Sequence, residues 1–152
     1  MRRPHLPEGL RAAYGRTDYE AEGAVARIGE RSPAVDAVLA RLGARRGAFV
    51  TAWNPYSRRM PAGWNARMQA RLREAARRHA FAEGTGRARR RIPRRPLVER
   101  WAERHLLIAA DPRRIAVLGR RFRQHAIMVA RRGAPGVLVP IRRQAALPVS
   151  VS

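Results

Sequence analysis

An apolar run ends abruptly at an asparagine and a proline in the first third of the chain. Residues 48–53 are Ala-Phe-Val-Thr-Ala-Trp, and Asn54 and Pro55 follow directly. A run of this length bounded by turn residues is typical of a buried strand, and open α/β sheets often bind ligands at the ends of such strands. The run therefore predicts a central strand and a site near its carboxyl end.

Helical and strand-like segments alternate along the rest of the chain. Capping residues and apolar spacing predict helices over residues 32–43, 65–79 and 111–122. Alternating or continuous apolar runs bounded by turn residues predict strands. The predicted strands cover residues 19–28, 48–53, 105–109, 126–130 and 137–141.

This alternation predicts an α/β fold in one small domain over residues 1–141. We expect a mixed, mostly parallel sheet of about five strands in the order β-α-β-α-β-α-β-β. The last two strands flank the turn residues 133–136 and should form an antiparallel hairpin. Residues 83–86 are predicted as a flexible turn, and residues 142–152 as a flexible tail.

The charge of the chain is strongly positive. The formal net charge is +22, from 33 basic and 11 acidic residues, which normally indicates a polyanionic partner. Every basic residue is arginine and none is lysine, and alanine, glycine and proline are abundant. Because a GC-rich genome imposes that bias, the position of an arginine carries more information than its identity.

The arginines are most concentrated in residues 87–96, which we call the basic loop. This segment holds six arginines and two prolines with no acid, so we expect it to be exposed and non-helical. It is either an arm for phosphate backbones or a solvated insertion, and no aromatic residue is interleaved to stack on bases. The candidate nucleic-acid residues are Arg87, Arg89, Arg90, Arg91, Arg94 and Arg95, with Arg120 and Arg121 on the third helix.

Several functional classes are disfavoured by what the sequence lacks. There is no cysteine, so disulfides, thiolate catalysis and cysteine-zinc sites are excluded. The four histidines lack metal-ligand spacing, so we predict no metal site, and no cofactor is indicated. No apolar run reaches membrane-spanning length and no signal peptide is visible, so we expect a cytoplasmic protein without a membrane partner.

Four separated elements of this chain resemble a known family. These elements are Ala-Trp-Asn-Pro at 52–55, Asn65 at a helix start, Trp-Ala-Glu at 101–103 ahead of a strand, and residues 122–127. In order and spacing they are similar to the bacterial proteins grouped as domain of unknown function 3293. The resemblance spans residues 19–141 and implies no activity. The chain departs from the family pattern at His125, where another amide is expected, and in the basic loop.

Each family-like element places a polar side chain at a junction between a strand and a helix. Asn54, Asn65 and Gln124 carry amides, which must be satisfied by backbone groups or by a ligand when buried. Simpler roles are open for each: Asn65 as a helix cap, Asn54 as a turn former, Gln124 as a helix terminator, and Glu103 as the partner of an arginine.

Two functional hypotheses follow. In the first, a cleft lined by Asn54, Asn65 and Gln124, with Trp53 or Trp101 as an apolar wall, binds an anionic small molecule such as a nucleotide. Glu103 is then the candidate catalytic acid or base. In the second, the basic loop and the exposed face of the third helix bind RNA. The sequence does not decide whether the protein is an enzyme, and it does not indicate the oligomeric state.

Overall fold

The computed structural model describes residues 4–89 and 102–141. This part of the chain contains four α-helices, a short 3-10 helix at Pro55–Ser57 and seven strands. The helices are α1 (Glu8–Gly15), α2 (Pro33–Arg41), α3 (Ala62–Ala75) and α4 (Pro112–Arg121). The strands are β1 (Thr17–Ala21), β2 (Ala24–Ala26), β3 (Arg46–Thr51), β4 (Ala80–Ala88), β5 (Ala102–Ala109), β6 (Ala126–Arg131) and β7 (Val137–Pro140).

The seven strands form one antiparallel sheet in the order β2-β1-β4-β5-β3-β6-β7. The expected mostly parallel sheet of about five strands is therefore wrong. Helices do connect strands, but the two strands that a helix connects are never neighbours in the described sheet. β5 separates β3 from β4, and β3 separates β5 from β6. Every pair of neighbouring strands thus runs in opposite directions.

The central part of the sheet is a βαββαβ unit made of β3, α3, β4, β5, α4 and β6. The spatial order of its strands, β4-β5-β3-β6, is the split β-α-β arrangement of ferredoxin-like folds. α3 and α4 cover the same face, where Leu72, Ile115 and Phe122 pack on Val50 and Ile108. The sheet therefore has a layer of two helices on this face.

The opposite face carries a second apolar cluster, around Phe49, Leu107 and Met128. Leu39 of α2 and Tyr19 of β1 complete it. Phe49 and Leu107 are cross-strand partners, as are Phe49 and Met128. Because side chains alternate along a strand, β3 and β5 contribute to both clusters.

The predicted strand over residues 19–28 is instead a hairpin. Glu22 and Gly23 both have positive φ, at 48° and 85°, and form the turn between β1 and β2. The hairpin pairs through β1 with β4, a strand that was not predicted. The alternation at residues 19–22 is followed almost directly by the apolar run at 24–26, so the segment was predicted as one continuous strand.

Gly84 lies where the sheet bends. Residues 83–86 were predicted as a flexible turn but belong to β4, and a side chain on Gly84 would overlap the carbonyl oxygen of Glu20. A glycine at such a close approach is typical of a strand that bends sharply. The sheet curls into a half-barrel, and a parallel bridge joins Ile28 to Gly136 near its two edge strands.

The observed helices match the helices predicted from the sequence to different degrees. α2 is confirmed, with Ser32 Oγ accepting a hydrogen bond from Val35 N at 3.2 Å. α4 is confirmed, with Asp111 as its cap. α3 begins at Ala62, ahead of the predicted start at Asn65, and α1 was not predicted. Among the described residues, none of the helices has the length and apolar character needed to cross a membrane.

The structure tests only part of the basic loop. Arg87 and Ala88 are the end of β4, so the loop does not begin at residue 87 as predicted. Arg90, Arg91, Arg94, Arg95 and Trp101 lie outside the described residues, as does the predicted tail at 142–152.

Candidate functional site

The chain turns sharply where β3 ends. Thr51 Oγ1 donates a hydrogen bond to the carbonyl oxygen of Arg104 at 2.6 Å and accepts one from Trp53 N at 3.0 Å. Asn54 then adopts a left-handed backbone conformation, with φ of 45°. Asparagine tolerates this conformation better than most residues, which explains an asparagine at this corner.

Hydrogen bonds between Asn54 and Asn65 close the segment between them into a loop. Asn65 Oδ1 accepts a hydrogen bond from Asn54 N at 3.0 Å, and Asn65 Nδ2 donates to Asn54 Oδ1 at 3.0 Å. Met60 N also donates to Asn54 Oδ1, at 2.9 Å. Both asparagines are buried. Because α3 begins at Ala62 and shows no side-chain cap, Asn65 is a buried partner of Asn54 and not the helix cap.

Glu103, at the start of β5, is joined to the same amide pair. Asn54 Nδ2 donates a hydrogen bond to Glu103 Oε1 at 2.9 Å. Burial raises the pKa of Glu103 to about 7, and the hydrogen bond from Asn54 offsets part of that rise. Arg104 forms no ion pair with Glu103, and Arg100, the other neighbouring arginine considered from the sequence, lies outside the described residues.

Gln124 anchors the end of α4 to the corner. Its Nε2 donates hydrogen bonds to the carbonyl oxygen of Trp53 at 3.0 Å and to that of Phe122 at 3.1 Å. The latter bond is the helix-terminating role considered from the sequence. Tyr56 N also donates to the carbonyl oxygen of Arg123 at 2.7 Å. The structure thus brings Asn54, Asn65 and Glu103 into direct contact, with Gln124 joined through the backbone.

Glu103 lines a pocket of about 40 Å³ on the face of the sheet opposite α3 and α4. Aromatic side chains contribute much of its wall, and Gln124 and Thr51 lie at the end nearest the corner. Tyr19 has a buried hydroxyl without a hydrogen-bond partner. Burial raises the pKa of both Tyr14 and Tyr19, and the charge of Glu103 adds to each shift. Both phenols are therefore neutral hydrogen-bonding groups.

His105 lies beside Glu103 on β5 and is also buried. Its Nε2 is 2.5 Å from the carbonyl oxygen of Glu20, an acceptor, so Nε2 carries the proton in the neutral ring. Burial lowers the pKa of His105 to about 4. The ring stacks on Tyr19, with centroids 6.1 Å apart, and meets Phe49 edge-on at 4.9 Å. The histidine is thus a fixed, neutral part of the pocket wall.

Trp53 and the predicted arginines that the structure describes lie outside this pocket. Trp53 does not line this pocket, and its indole N–H is buried without a hydrogen-bond partner in the described structure. Arg87, Arg120 and Arg121 are exposed, the first on β4 and the others on α4. Arg89 forms an ion pair with Asp18, at 3.1 Å. Within residues 4–89 and 102–141, no group of three metal-ligating side chains is present.

Tyr14, Tyr19 and His105 line the pocket but were not among the site residues predicted from the sequence. Tyr14 was missed because α1 was not predicted, and Tyr19 because its strand was placed without knowledge of its partner. His105 offered a usable signal: it begins the predicted strand at 105–109 and follows Glu103 by two residues, so extending that strand back to 103 places both on one face.

Comparison with protein families identifies the family of this chain. Residues 50–127, just over half of the chain, match the family described as "Protein of unknown function (DUF3293)". The chain belongs to this family. No curated protein and no solved structure matches the chain significantly.

The DUF3293 match covers the corner but only part of the pocket. The segment begins in β3 and ends in β6, and it includes Asn54, Asn65, Glu103 and Gln124. Tyr14 and Tyr19 precede it. The pocket of this DUF3293 protein is therefore built from the family segment together with the N-terminal helix and hairpin.

Proposed function

We propose that this DUF3293 protein binds a small molecule at the pocket beside Glu103. The observation that carries the proposal is a carboxyl group that is desolvated, held by a buried amide pair and exposed to a pocket that the buried side chain of Tyr19 also lines. Buried groups with strongly shifted pKa values in a pocket are a common mark of functional sites. Glu103 is the group that would exchange a proton or hydrogen bond with the ligand.

The size of the pocket limits what enters it. A water molecule occupies about 10–15 Å³ of such space, so 40 Å³ accommodates a group of a few heavy atoms. A nucleotide needs a pocket of several hundred Å³, so a whole nucleotide is not favoured here. We therefore propose that one small polar end of the ligand enters the pocket.

The charge of the pocket favours a basic group over an anion. None of the described residues that line it is an arginine, although the chain has 33 basic residues. An ionised Glu103 would repel an anion, whereas an ammonium group would stabilise the ionised carboxylate. We therefore favour a ligand with an amine or hydroxyl end over the anionic ligand expected from the sequence.

Methylammonium is a probe small enough to test this proposal. The pKa of Glu103 can be measured by ¹³C NMR of its carboxyl carbon in three solutions of equal ionic strength. These contain a methylammonium salt, the corresponding sodium salt, and sodium acetate. We expect methylammonium to lower the pKa by about one unit, since a cation within about 4–6 Å favours the charged carboxylate. Sodium acetate should not lower it. Equal pKa values in all three salts would contradict binding of a basic group.

Ligands that copurify provide a second test. Mass spectrometry of small molecules extracted from the native protein should show a compound that is depleted in Glu103→Gln but retained in Glu8→Gln. Glu8 is an exposed residue of α1 and serves as the matched control. Retention of the compound in both variants would remove Glu103 from the site.

RNA binding is the second candidate function. The exposed guanidinium groups of Arg120 and Arg121 support it, together with the net charge of +22. Its test is the affinity for a single-stranded RNA across a range of salt concentrations. Arg120→Ala/Arg121→Ala should weaken binding and reduce the salt dependence more than Arg67→Ala/Arg71→Ala, which removes two exposed arginines of α3. Equal effects would indicate only the attraction of a polycation.

A further inference from the structure

A groove of about 640 Å³ lies at the end of the sheet that is farther from Glu103. Arg46 on β3 and Arg131 on β6 each lie three residues from the nearest pocket-lining residue of the same strand, Phe49 and Met128, so about 10 Å of strand separates the two places. The groove is thus distinct from the site proposed above. The residues that line it are Asp36, Arg45, Arg46, Arg131, Arg132 and Gly133.

The pairing of β3 with β6 creates this cluster of positive charge. Arg46 is the direct cross-strand partner of Arg131, and Arg132 N donates a hydrogen bond to the carbonyl oxygen of Arg45 at 2.9 Å. Like charges directly opposite each other destabilise a sheet. Two arginine doublets, Arg45-Arg46 and Arg131-Arg132, are far apart in sequence but face each other in the sheet. Their repulsion lowers the stability of the fold unless an anion lies between them.

The nearby carboxylates neutralise only part of this charge. Asp36 Oδ2 accepts a hydrogen bond from Gly133 N at 2.9 Å, which ties α2 to the turn after β6. Asp111 caps α4 and lies 3.3 Å from Arg46, but it is shared with Arg113. Arg45, Arg131 and Arg132 form no ion pair with any carboxylate in the described part of the chain. The groove thus keeps a positive charge.

We propose that this groove binds a phosphate group. The planar fork of a guanidinium matches two phosphate oxygens, and charge-assisted hydrogen bonds of this kind are about twice as strong as neutral ones. The groove volume lies within the usual range for ligand sites, so it accommodates a phosphate that belongs to a larger molecule. The composition bias explains why the cations are arginines, but not why two doublets meet across one strand pair.

Inorganic pyrophosphate serves as the probe, in low-salt buffer free of phosphate. Its affinity is measured by isothermal titration calorimetry for the full chain, for Arg131→Ala/Arg132→Ala, and for the control Arg67→Ala/Arg71→Ala. Both double variants remove two exposed arginines and the same charge. We expect the first to bind about 10-fold more weakly or worse, as the loss of one charge-assisted hydrogen bond predicts, and the control to stay within about 2-fold.

A thermal unfolding measurement checks that the variant is folded. Without pyrophosphate, Arg131→Ala/Arg132→Ala should unfold at the same temperature as the full chain or higher, because the repulsion between Arg46 and Arg131 is removed. Pyrophosphate should then raise the unfolding temperature of the full chain more than that of the variant. Equal losses of affinity in both double variants, or no saturable binding to the full chain, would overturn the proposal.

A 12-nucleotide single-stranded RNA distinguishes two sources of the phosphate. If its affinity falls selectively in Arg131→Ala/Arg132→Ala, as for pyrophosphate, the groove accepts a nucleic-acid backbone. If only pyrophosphate shows the selective loss, the groove takes the phosphate of a small molecule.

Discussion

Glu103 and His105 lie two residues apart on β5, line the same pocket, and have pKa values that burial shifts in opposite directions. The pKa of Glu103 rises from 4.5 to about 7, and the pKa of His105 falls from 6.5 to about 4. Near pH 5.5 both side chains are therefore neutral in the folded protein, whereas both are charged in the unfolded chain. The pocket keeps a neutral acid beside a neutral base.

Glu103→Gln should make the stability depend on pH. Glu103 binds its proton more tightly in the folded state, so its contribution to stability is lost as pH rises from about 4.5 to 7. His105 does the reverse: its contribution is lost as pH falls from about 6.5 to 4. In the full chain these two slopes oppose each other. Without Glu103, the free energy of unfolding should rise by about 3 kcal/mol from pH 4 to 6.5.

Urea unfolding at pH 4, 5, 6 and 6.5 measures this effect. Glu8→Gln is the control, because it removes an exposed carboxylate and should leave the pH profile of the full chain unchanged. The raised pKa of Glu103 is contradicted if Glu103→Gln shows the same profile as Glu8→Gln.

His105→Gln should produce the opposite slope. The amide can still donate to the carbonyl oxygen of Glu20, but the opposing titration of the imidazole is gone. Only Glu103 then titrates in this range, so the free energy of unfolding should fall by about 3 kcal/mol between pH 4.5 and 7. Chemical denaturation of this variant across that interval provides the measurement, and a rising profile would contradict the assignment to Glu103.

Asn65→Ala should destabilise the corner after β3. The substitution leaves the buried Asn54 N without its partner and removes one of the two hydrogen bonds that Asn54 Oδ1 accepts. The expected loss is about 2–3 kcal/mol in the free energy of unfolding, since unsatisfied buried polar groups cost about 1–3 kcal/mol each. Arg67→Ala, on an exposed position of α3, should change stability by less than about 0.5 kcal/mol. Similar losses in the two variants would show that the amide pair is not a stabilising contact.

Gly84→Ala should disrupt the pairing of β1 with β4. A side chain at this position overlaps the Glu20 carbonyl oxygen, a backbone atom that cannot move without opening the hairpin. The expected loss is about 3 kcal/mol, with faster amide hydrogen exchange in β1. Gly9→Ala is the matched control, because nothing lies within 4 Å of its added methyl group. Unchanged exchange in β1 of Gly84→Ala would contradict the close approach.

Local sequence signals predicted an element correctly where all the residues that determine that element lie in one short segment. Ser32 and Asp111, each followed by proline, mark helix starts that the structure contains. The turn at residues 133–136 correctly predicts the antiparallel hairpin of β6 and β7. β4 was missed because its glycines, at 84 and 86, are typical of a turn, whereas Gly84 here permits a close approach between β4 and β1.

The sequence by itself determined the family, the central strand, two capped helices and the polar residues at the corner, because propensity, capping and short-range periodicity act within a few residues. Only the tertiary structure decided that the strands are antiparallel, that Glu103 shares a pocket with Tyr14 and Tyr19, and that Arg46 faces Arg131. These depend on which strands pair, and pairing is fixed by the burial of apolar surface across the whole sheet. That burial joins residues far apart in the chain, so no local pattern records it.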